Sequence, residues 1–176
     1  AFTEKFYWDI TKSHLEPVLE TLKYLKHETK VWFEITNLMI PGENDSEREI
    51  DEMTCWVVEN LGPDVPMHFS AFHPDYRMMD KPRTPFETLA MARRVAMRNG
   101  GWHAYTGNVH DFGRQSSYCH GCGNRTIGRD WYQLSDWTLD DNGACENCGT
   151  VSAGVFDGPP GAWGRQRLPV DIKLFG

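Results

Sequence analysis

The chain has 176 residues, of which 40% are hydrophobic and 24% are charged, as expected for one globular core with a small appendage. Its 25 acidic residues outnumber its 18 lysines and arginines, and the net charge of −7 argues against general nucleic-acid binding, which needs a basic surface. The sequence shows no apolar run of membrane-spanning length and no signal-peptide pattern, so we expect a cytoplasmic protein.

The first predicted elements are a helix and a strand. From Ser13 onward, leucine and valine recur at helical spacing, and basic residues gather at the end of the segment, where they suit the negative pole of a helix. Residues 30–40 are rich in β-branched and aromatic side chains, so we predict a strand that is buried on both faces. Residues 41–45 contain proline and glycine and end this strand.

Two more helices are predicted, each followed by a strand. Both helices begin with the spacing of a capping box, in which a Ser or Thr side chain and a Glu three residues later each cap a backbone N–H: Ser46 with Glu49, and Thr84 with Glu87. The strands are predicted at residues 67–72 and 102–106.

Alternation of helices and strands with short connections predicts a parallel sheet, in which functional loops follow the strands at their C-terminal ends. Such loops begin at Pro41, His73 and Gly107. His73 is the histidine best placed for a function, although a structural role fits its position equally well. Three strands are too few to close a barrel, so the sheet is either small and open or part of a larger barrel.

Two CxxCG motifs carry the strongest chemical signal. Cys119 and Cys122 form the first pair, Cys145 and Cys148 form the second, and 22 residues separate the pairs. Each motif can turn both sulfurs toward one point, and the glycine that follows can adopt a positive φ. Four thiolates favour tetrahedral Zn²⁺. Iron in a rubredoxin-like site and two disulfides are the alternatives that the spacing leaves open.

Other catalytic motifs are absent from the sequence. It contains no phosphate-binding glycine loop and no serine-hydrolase elbow, and the Asp-Phe-Gly triplet at Asp111 stands without the remaining kinase motifs. We therefore assign no catalytic residue.

An ordered series of motifs resembles one known family. The motifs occupy residues 36–38, 40–45, 66–74, 105–110, 118–123, 127–130 and 154–161. They resemble the C-terminal half of the radical SAM enzymes of the AmmeMemoRadiSam system, which are relatives of the pyruvate formate-lyase activating enzymes. Such enzymes are oxidoreductases in which an iron–sulfur cluster supplies an electron to S-adenosylmethionine.

The resemblance implies that residues 1–112 form the C-terminal half of a partial (β/α)6 TIM-like barrel. The cysteine motifs predict a zinc ribbon at 113–153, and the turn residues after it predict an irregular tail at 154–176. It also implies that Asn37, Leu38 and His73 contact S-adenosylmethionine, although residues 71 and 72 depart from the Pro-Tyr that precedes the family histidine.

This sequence departs from the family pattern at the 4Fe–4S cluster, because the CxxxCxxC motif that holds the cluster in the family is missing here. We therefore expect an excised C-terminal fragment that is not catalytic alone, from a parent that acts on an unknown substrate, for which a protein is one candidate. In the family's layout, Ala1 falls just after the fourth strand. Residues 170–173 look like the end of that strand; we treat this similarity as a coincidence, and a circular permutation is the alternative. The alternative is a zinc-ribbon module that binds a protein or, against the charge argument, a nucleic acid.

Overall fold

The fold contains a parallel α/β unit followed by a small antiparallel module, and the computed structural model describes residues 1–156 and 158. The α/β unit comprises α1 (Glu4–Phe6), a π-helical turn (Tyr7–Thr11), α2 (Leu15–Glu28), β1 (Ile35–Met39), α3 (Glu47–Leu61), β2 (Met67–Ala71), α4 (Phe86–Arg98) and β3 (Ala104–Gly107). The module comprises α5 (Phe112–Gln115), β4 (Ser117–Tyr118), β5 (Arg125–Asp130) and β6 (Gln133–Trp137).

The first sheet confirms the predicted parallel α/β architecture. Its strands are parallel and lie in the order β1-β2-β3, so each strand pairs with the next strand of the chain. The connecting helices α3 and α4 pack against each other and against the same face of the sheet. This helix-covered face holds the main core, and its fully buried side chains include Met39, Phe69, Ile50 and Leu89.

The opposite face of this sheet, which we call the open face, is covered by none of the helices that the structure describes, so the predicted burial of the first strand on both faces is wrong. Met39 is 0% exposed, whereas the adjacent Leu38 is 43% exposed. The strand is also shorter than predicted, because Ile35 is already opposite Met67, the first residue of β2. Among the strands that the structure describes, none therefore lies beside residues 30–34 to pair with them.

The two predicted capping boxes differ in outcome. Ser46 Oγ accepts a hydrogen bond from the Glu49 N–H at 3.2 Å, so the predicted cap of α3 is confirmed. The cap predicted at Thr84 is wrong. Its hydroxyl instead donates to the Met39 carbonyl at 2.5 Å and accepts from the Phe72 N–H at 2.8 Å. Thr84 thus ties together the chain segments at the C-terminal ends of β1 and β2.

The module is built on the antiparallel sheet β4-β5-β6 and has its own small core, formed by Cys119, Ile127, Leu139 and Cys145. Most of the predicted irregular tail, including residues 170–173, lies outside the described residues. Within the part of the chain that the structure describes, no helix has both the length and the apolar character that a membrane crossing requires.

Candidate metal centre and the open face of the sheet

The two CxxCG motifs fold into equivalent knuckles. The Gly123 N–H donates to the Cys119 carbonyl at 2.8 Å, and the Gly149 N–H donates to the Cys145 carbonyl at 2.7 Å. Both glycines are left-handed, with φ of 73° and 75°, a conformation that a Cβ would strain. The positive φ expected after each cysteine pair is therefore confirmed, and each knuckle directs two sulfurs to a common point.

The four sulfurs form a cluster of the size that one metal ion requires. All four ligand atoms lie within 4.8 Å of one another. The Cys119 and Cys148 sulfurs are 3.6 Å apart, and those of Cys122 and Cys145 are 3.8 Å apart. A tetrahedron with metal–sulfur bonds of about 2.3 Å has sulfur–sulfur edges of about 3.8 Å. All four thiols are free, so the structure contains neither of the alternative disulfides. The predicted four-cysteine group is thus confirmed as a group that can hold a metal ion.

The knuckle sulfurs differ in their electrostatic surroundings. The Thr150 hydroxyl, 3.2 Å from Cys148 Sγ, is the main cause that lowers the pKa of Cys148 to about 6. The Asn147 side-chain amide donates to Cys122 Sγ at 3.4 Å and lowers the pKa of that thiol. Burial raises the pKa of Cys145 to about 11. The exposed sulfurs are therefore stabilised as thiolates by hydrogen bonds. For Cys145, a bound cation would offset the energetic cost of keeping a buried sulfur as a thiolate.

Gly121 provides the space that lets Thr150 approach the site. A Cβ at position 121 would lie 2.4 Å from Thr150 Oγ1, closer than any real contact. No role in the site was predicted for Gly121, Asn147 or Thr150. Their roles could have been predicted from their positions within or directly beside the two CxxC pairs, because residues next to metal ligands commonly orient them.

Replacing Thr150 by Val should weaken metal binding by about tenfold to a hundredfold, because it removes the hydroxyl next to Cys148 while keeping the side-chain shape. Competition with a chromophoric chelator measures the change. Thr21→Val is a matched control, since the Thr21 hydroxyl is exposed on α2 and donates to the Pro17 carbonyl. Equal metal affinity of both variants and the unaltered chain would show that Thr150 does not support the ligands.

The first knuckle packs directly against the α/β unit. The His120 ring stacks on the Trp102 ring with centroids 3.8 Å apart and planes 4° from parallel. His103, next to Trp102, is buried, and its burial lowers its pKa to about 4, so it is neutral near pH 7. The stacking of His120 on Trp102 therefore holds the four-cysteine module beside β3.

The three residues predicted to contact a cofactor lie in different places. Asn37 is buried on the helix-covered face, where it donates to Met53 Sδ at 3.4 Å and accepts from the Asn44 amide at 3.1 Å. Leu38 lies on the open face. His73 is exposed beyond the C-terminal end of β2, and its Nδ1 donates to the Pro74 carbonyl at 2.9 Å. Leu38 and His73 are thus accessible to a ligand at the C-terminal end of the sheet, whereas the Asn37 amide is hydrogen-bonded inside the core.

Polar residues for which no binding role was predicted line the open face, and they include His68, which was interpreted as structural. Thr36, His68 and Tyr105 are opposite one another and form one row across the three strands. Glu34 accepts a hydrogen bond from His68 at 2.5 Å. Arg129 reaches this face from the module, with its guanidinium 5.6 Å from the centre of the Tyr105 ring. The two-residue alternation along β2, with His68 opposite in direction to Phe69, was the signal that could have identified this face.

Comparison with known proteins identifies one long archaeal relative. The chain matches no protein-family model. It is 41% identical over 145 residues to an uncharacterized protein of Methanocaldococcus jannaschii, MJ0808. The matched region covers 82% of this chain but 43% of that protein, so the chain spans less than half the length of the relative.

Proposed function

We propose that this chain is the C-terminal half of a radical SAM barrel of the glycyl-radical activating type, followed by a structural zinc module. The observation that carries this proposal is the one-sided parallel sheet. Strands in the order β1-β2-β3 with both connecting helices on one face form the repeating unit of a barrel wall. A doubly wound sheet instead reverses its strand order and has helices on both faces.

The polar open face supports the same proposal. All-parallel sheets are normally covered on both faces, yet Leu38 and the row of Thr36, His68 and Tyr105 face away from the helices. In a barrel this face becomes the inner wall, where side chains can surround a ligand. Among the described residues β1 pairs only with β2. Its other edge would then pair with a strand of the other half, which is consistent with the greater length of the archaeal relative.

S-adenosylmethionine would lie at the C-terminal edge of the sheet, beside Leu38 and His73. Asn37 would act indirectly in this arrangement. Its carbonyl oxygen accepts from Asn44, and Asn44 in turn accepts from the Ile40 N–H at 2.7 Å and donates to the Leu38 carbonyl at 2.9 Å. These bonds fix the loop after β1, so Asn37 would shape the cofactor site from behind rather than touch the cofactor.

The five cysteines of this chain do not have CxxxCxxC spacing, so the 4Fe–4S cluster would be held by the other half of the barrel. When bound, the cluster supplies the electron that splits S-adenosylmethionine into methionine and a 5′-deoxyadenosyl radical. The residues of this chain would contribute placement of the cofactor and exclusion of water.

Zinc is the metal that we propose for the four-cysteine group. A shell of four cysteines leaves no open position for a substrate or a water molecule, which is the arrangement of structural rather than catalytic zinc. The module would then anchor the C-terminal end of the barrel wall through the stack of His120 on Trp102.

The alternative function, a zinc ribbon that binds nucleic acid, has less support. Residues 113–153 contain three arginines against five acidic side chains. Two of those arginines, Arg114 and Arg125, pair with Asp111 and Asp136. The module therefore lacks the basic surface that phosphate contacts require.

Reductive cleavage of S-adenosylmethionine by a longer protein that includes this chain tests the proposal. We expect anaerobically reconstituted protein to contain a 4Fe–4S cluster and, with dithionite, to release 5′-deoxyadenosine. A variant with one cysteine of the CxxxCxxC motif changed to alanine should not release it. Absence of that motif from the longer protein, or no 5′-deoxyadenosine from cluster-loaded protein, would refute the proposal.

A further inference from the structure

A pocket lies on the open face at the junction between the α/β unit and the metal module. We call it the open-face pocket. It has a volume of about 350 Å³, enough for a small molecule. Residues from both parts of the chain line it, principally Glu34, His68 and Tyr105 from the sheet side and Arg129, Trp131 and Tyr132 from the module.

The negative group of the open-face pocket is already paired. One carboxylate oxygen of Glu34 accepts from His68 Nε2 at 2.5 Å, and the other accepts from Trp32 Nε1 at 3.2 Å. The hydrogen bond from His68 is the main cause that lowers the pKa of Glu34. Glu34 therefore has donors on both oxygens and is a poor site for a cationic ligand.

The positive group of the pocket is the guanidinium of Arg129. Arg129 uses Nη1 to donate to the Ser117 hydroxyl at 3.1 Å and to the Gln115 carbonyl at 3.4 Å. These two bonds leave its remaining N–H donors for a ligand. Among the described residues no carboxylate lies within salt-bridge distance of Arg129, although Glu34 in the same pocket is near enough for the charge of the arginine to contribute to its lowered pKa. A guanidinium presents several donors in a planar fork that matches an oxyanion. In a chain of net charge −7, an arginine that is held by two hydrogen bonds in a pocket, with no salt bridge to any described residue, is a specific feature.

We propose that the open-face pocket binds the oxyanion of a small substrate, a carboxylate or a phosphate, through Arg129. This inference names a ligand class for the open face, and so it rests on the proposed function of that face as an inner barrel wall. The His68 and Tyr105 rings, 4.9 Å apart, provide the adjoining surface for the uncharged part of the ligand.

The metal module positions Arg129 for this role. Arg129 lies on β5 opposite Leu134 of β6, and its N–H donates to the Ser116 hydroxyl at 3.1 Å. The neighbouring strand β4 leads directly into Cys119, the first metal ligand. Metal binding would thereby hold the guanidinium over the sheet, so oxyanion binding should depend on the metal.

Calorimetric titration of the metal-loaded chain with inorganic phosphate and, separately, with acetate tests the inference. We expect at least one probe to bind, and Arg129→Gln should weaken that binding by about tenfold to a hundredfold, because a charge-assisted hydrogen bond is lost. Arg94→Gln removes the same charge from the exposed side of α4 and should leave binding unchanged. Tighter binding of phosphate or of acetate distinguishes a phosphorylated from a carboxylated substrate.

A second measurement avoids reliance on the folding of the variant. In the unaltered protein, the side-chain Nε–H resonance of Arg129, assigned by its disappearance in Arg129→Lys, should shift as the bound probe is added. Binding of neither probe, or equal binding by Arg129→Gln and Arg94→Gln, would overturn the inference. These results are independent of 5′-deoxyadenosine release, so failure of the oxyanion site and failure of the radical SAM proposal can be told apart.

Discussion

Removing the metal should unfold the four-cysteine module and leave the parallel sheet folded. We expect about one zinc per chain, and we expect Cys145→Ser to lose it, because Cys145 is both a ligand and part of the small core of the module. Structural zinc sites contribute about 10–16 kcal/mol of apparent binding free energy, far more than a core of four buried residues can supply alone. Elemental analysis and amide hydrogen exchange measure the two effects.

Cys55→Ser is the matched control for this experiment. Cys55 is half-buried on α3 and lies outside the four-cysteine group, so its replacement should retain the zinc. Amides of β5 and β6 should lose protection in Cys145→Ser while those of β2 remain protected. Iron in place of zinc would contradict the assignment of the metal, and protected β5 amides in metal-free protein would contradict coupling of metal binding to folding.

Substituting two adjacent residues of β1 should reveal the one-sidedness of the sheet. Met39→Ala should lower the free energy of unfolding by about 2–5 kcal/mol, because it leaves a cavity among fully buried side chains. Leu38→Ala should change it by less than about 1 kcal/mol, because Leu38 is on the open face. Urea denaturation of the metal-loaded chain measures both values.

The pair is its own control, since both substitutions shorten an apolar side chain on the same strand. A loss at Leu38 as large as the loss at Met39 would mean that the open face is covered in solution, for example by a second copy of the chain. A small loss at Met39 would mean that β1 does not pack on α3 as described.

Features set by neighbouring residues could be predicted from the sequence. The two knuckles follow from the CxxCG spacing, since the turn and the positive φ at Gly123 and Gly149 involve only the residues of each motif. The cap of α3 at Ser46 is equally local. The parallel sheet was predictable because each βα unit is short and alternation leaves few other topologies.

Features set by distant residues could not be predicted in the same way. Thr84 lies at a position where the sequence predicts a helix cap. Its hydroxyl instead forms hydrogen bonds with two buried backbone groups at the ends of β1 and β2, the Met39 carbonyl and the Phe72 N–H. The direction of Asn37 depends on which face of β1 the helices cover. The sequence did not indicate which face that is, because the aromatic and β-branched residues at 30–40 predicted burial on both faces.

The position of Arg129 in the open-face pocket also depends on distant residues and could not be predicted from the sequence. Nothing near it in sequence indicates a pocket, because Glu34 and His68 lie more than fifty residues earlier in the chain. Only the packing of the module against β3 brings the guanidinium over the open face.

The structure of a longer protein that contains this fold, such as the archaeal relative, tests most directly whether the sheet is half of a barrel. We predict that a further parallel strand pairs with the edge of β1 that lies opposite β2, and that strands enclose the open face, with Leu38 and His68 pointing into the interior. Helices packed across the open face, as in a doubly wound sheet, would contradict this account.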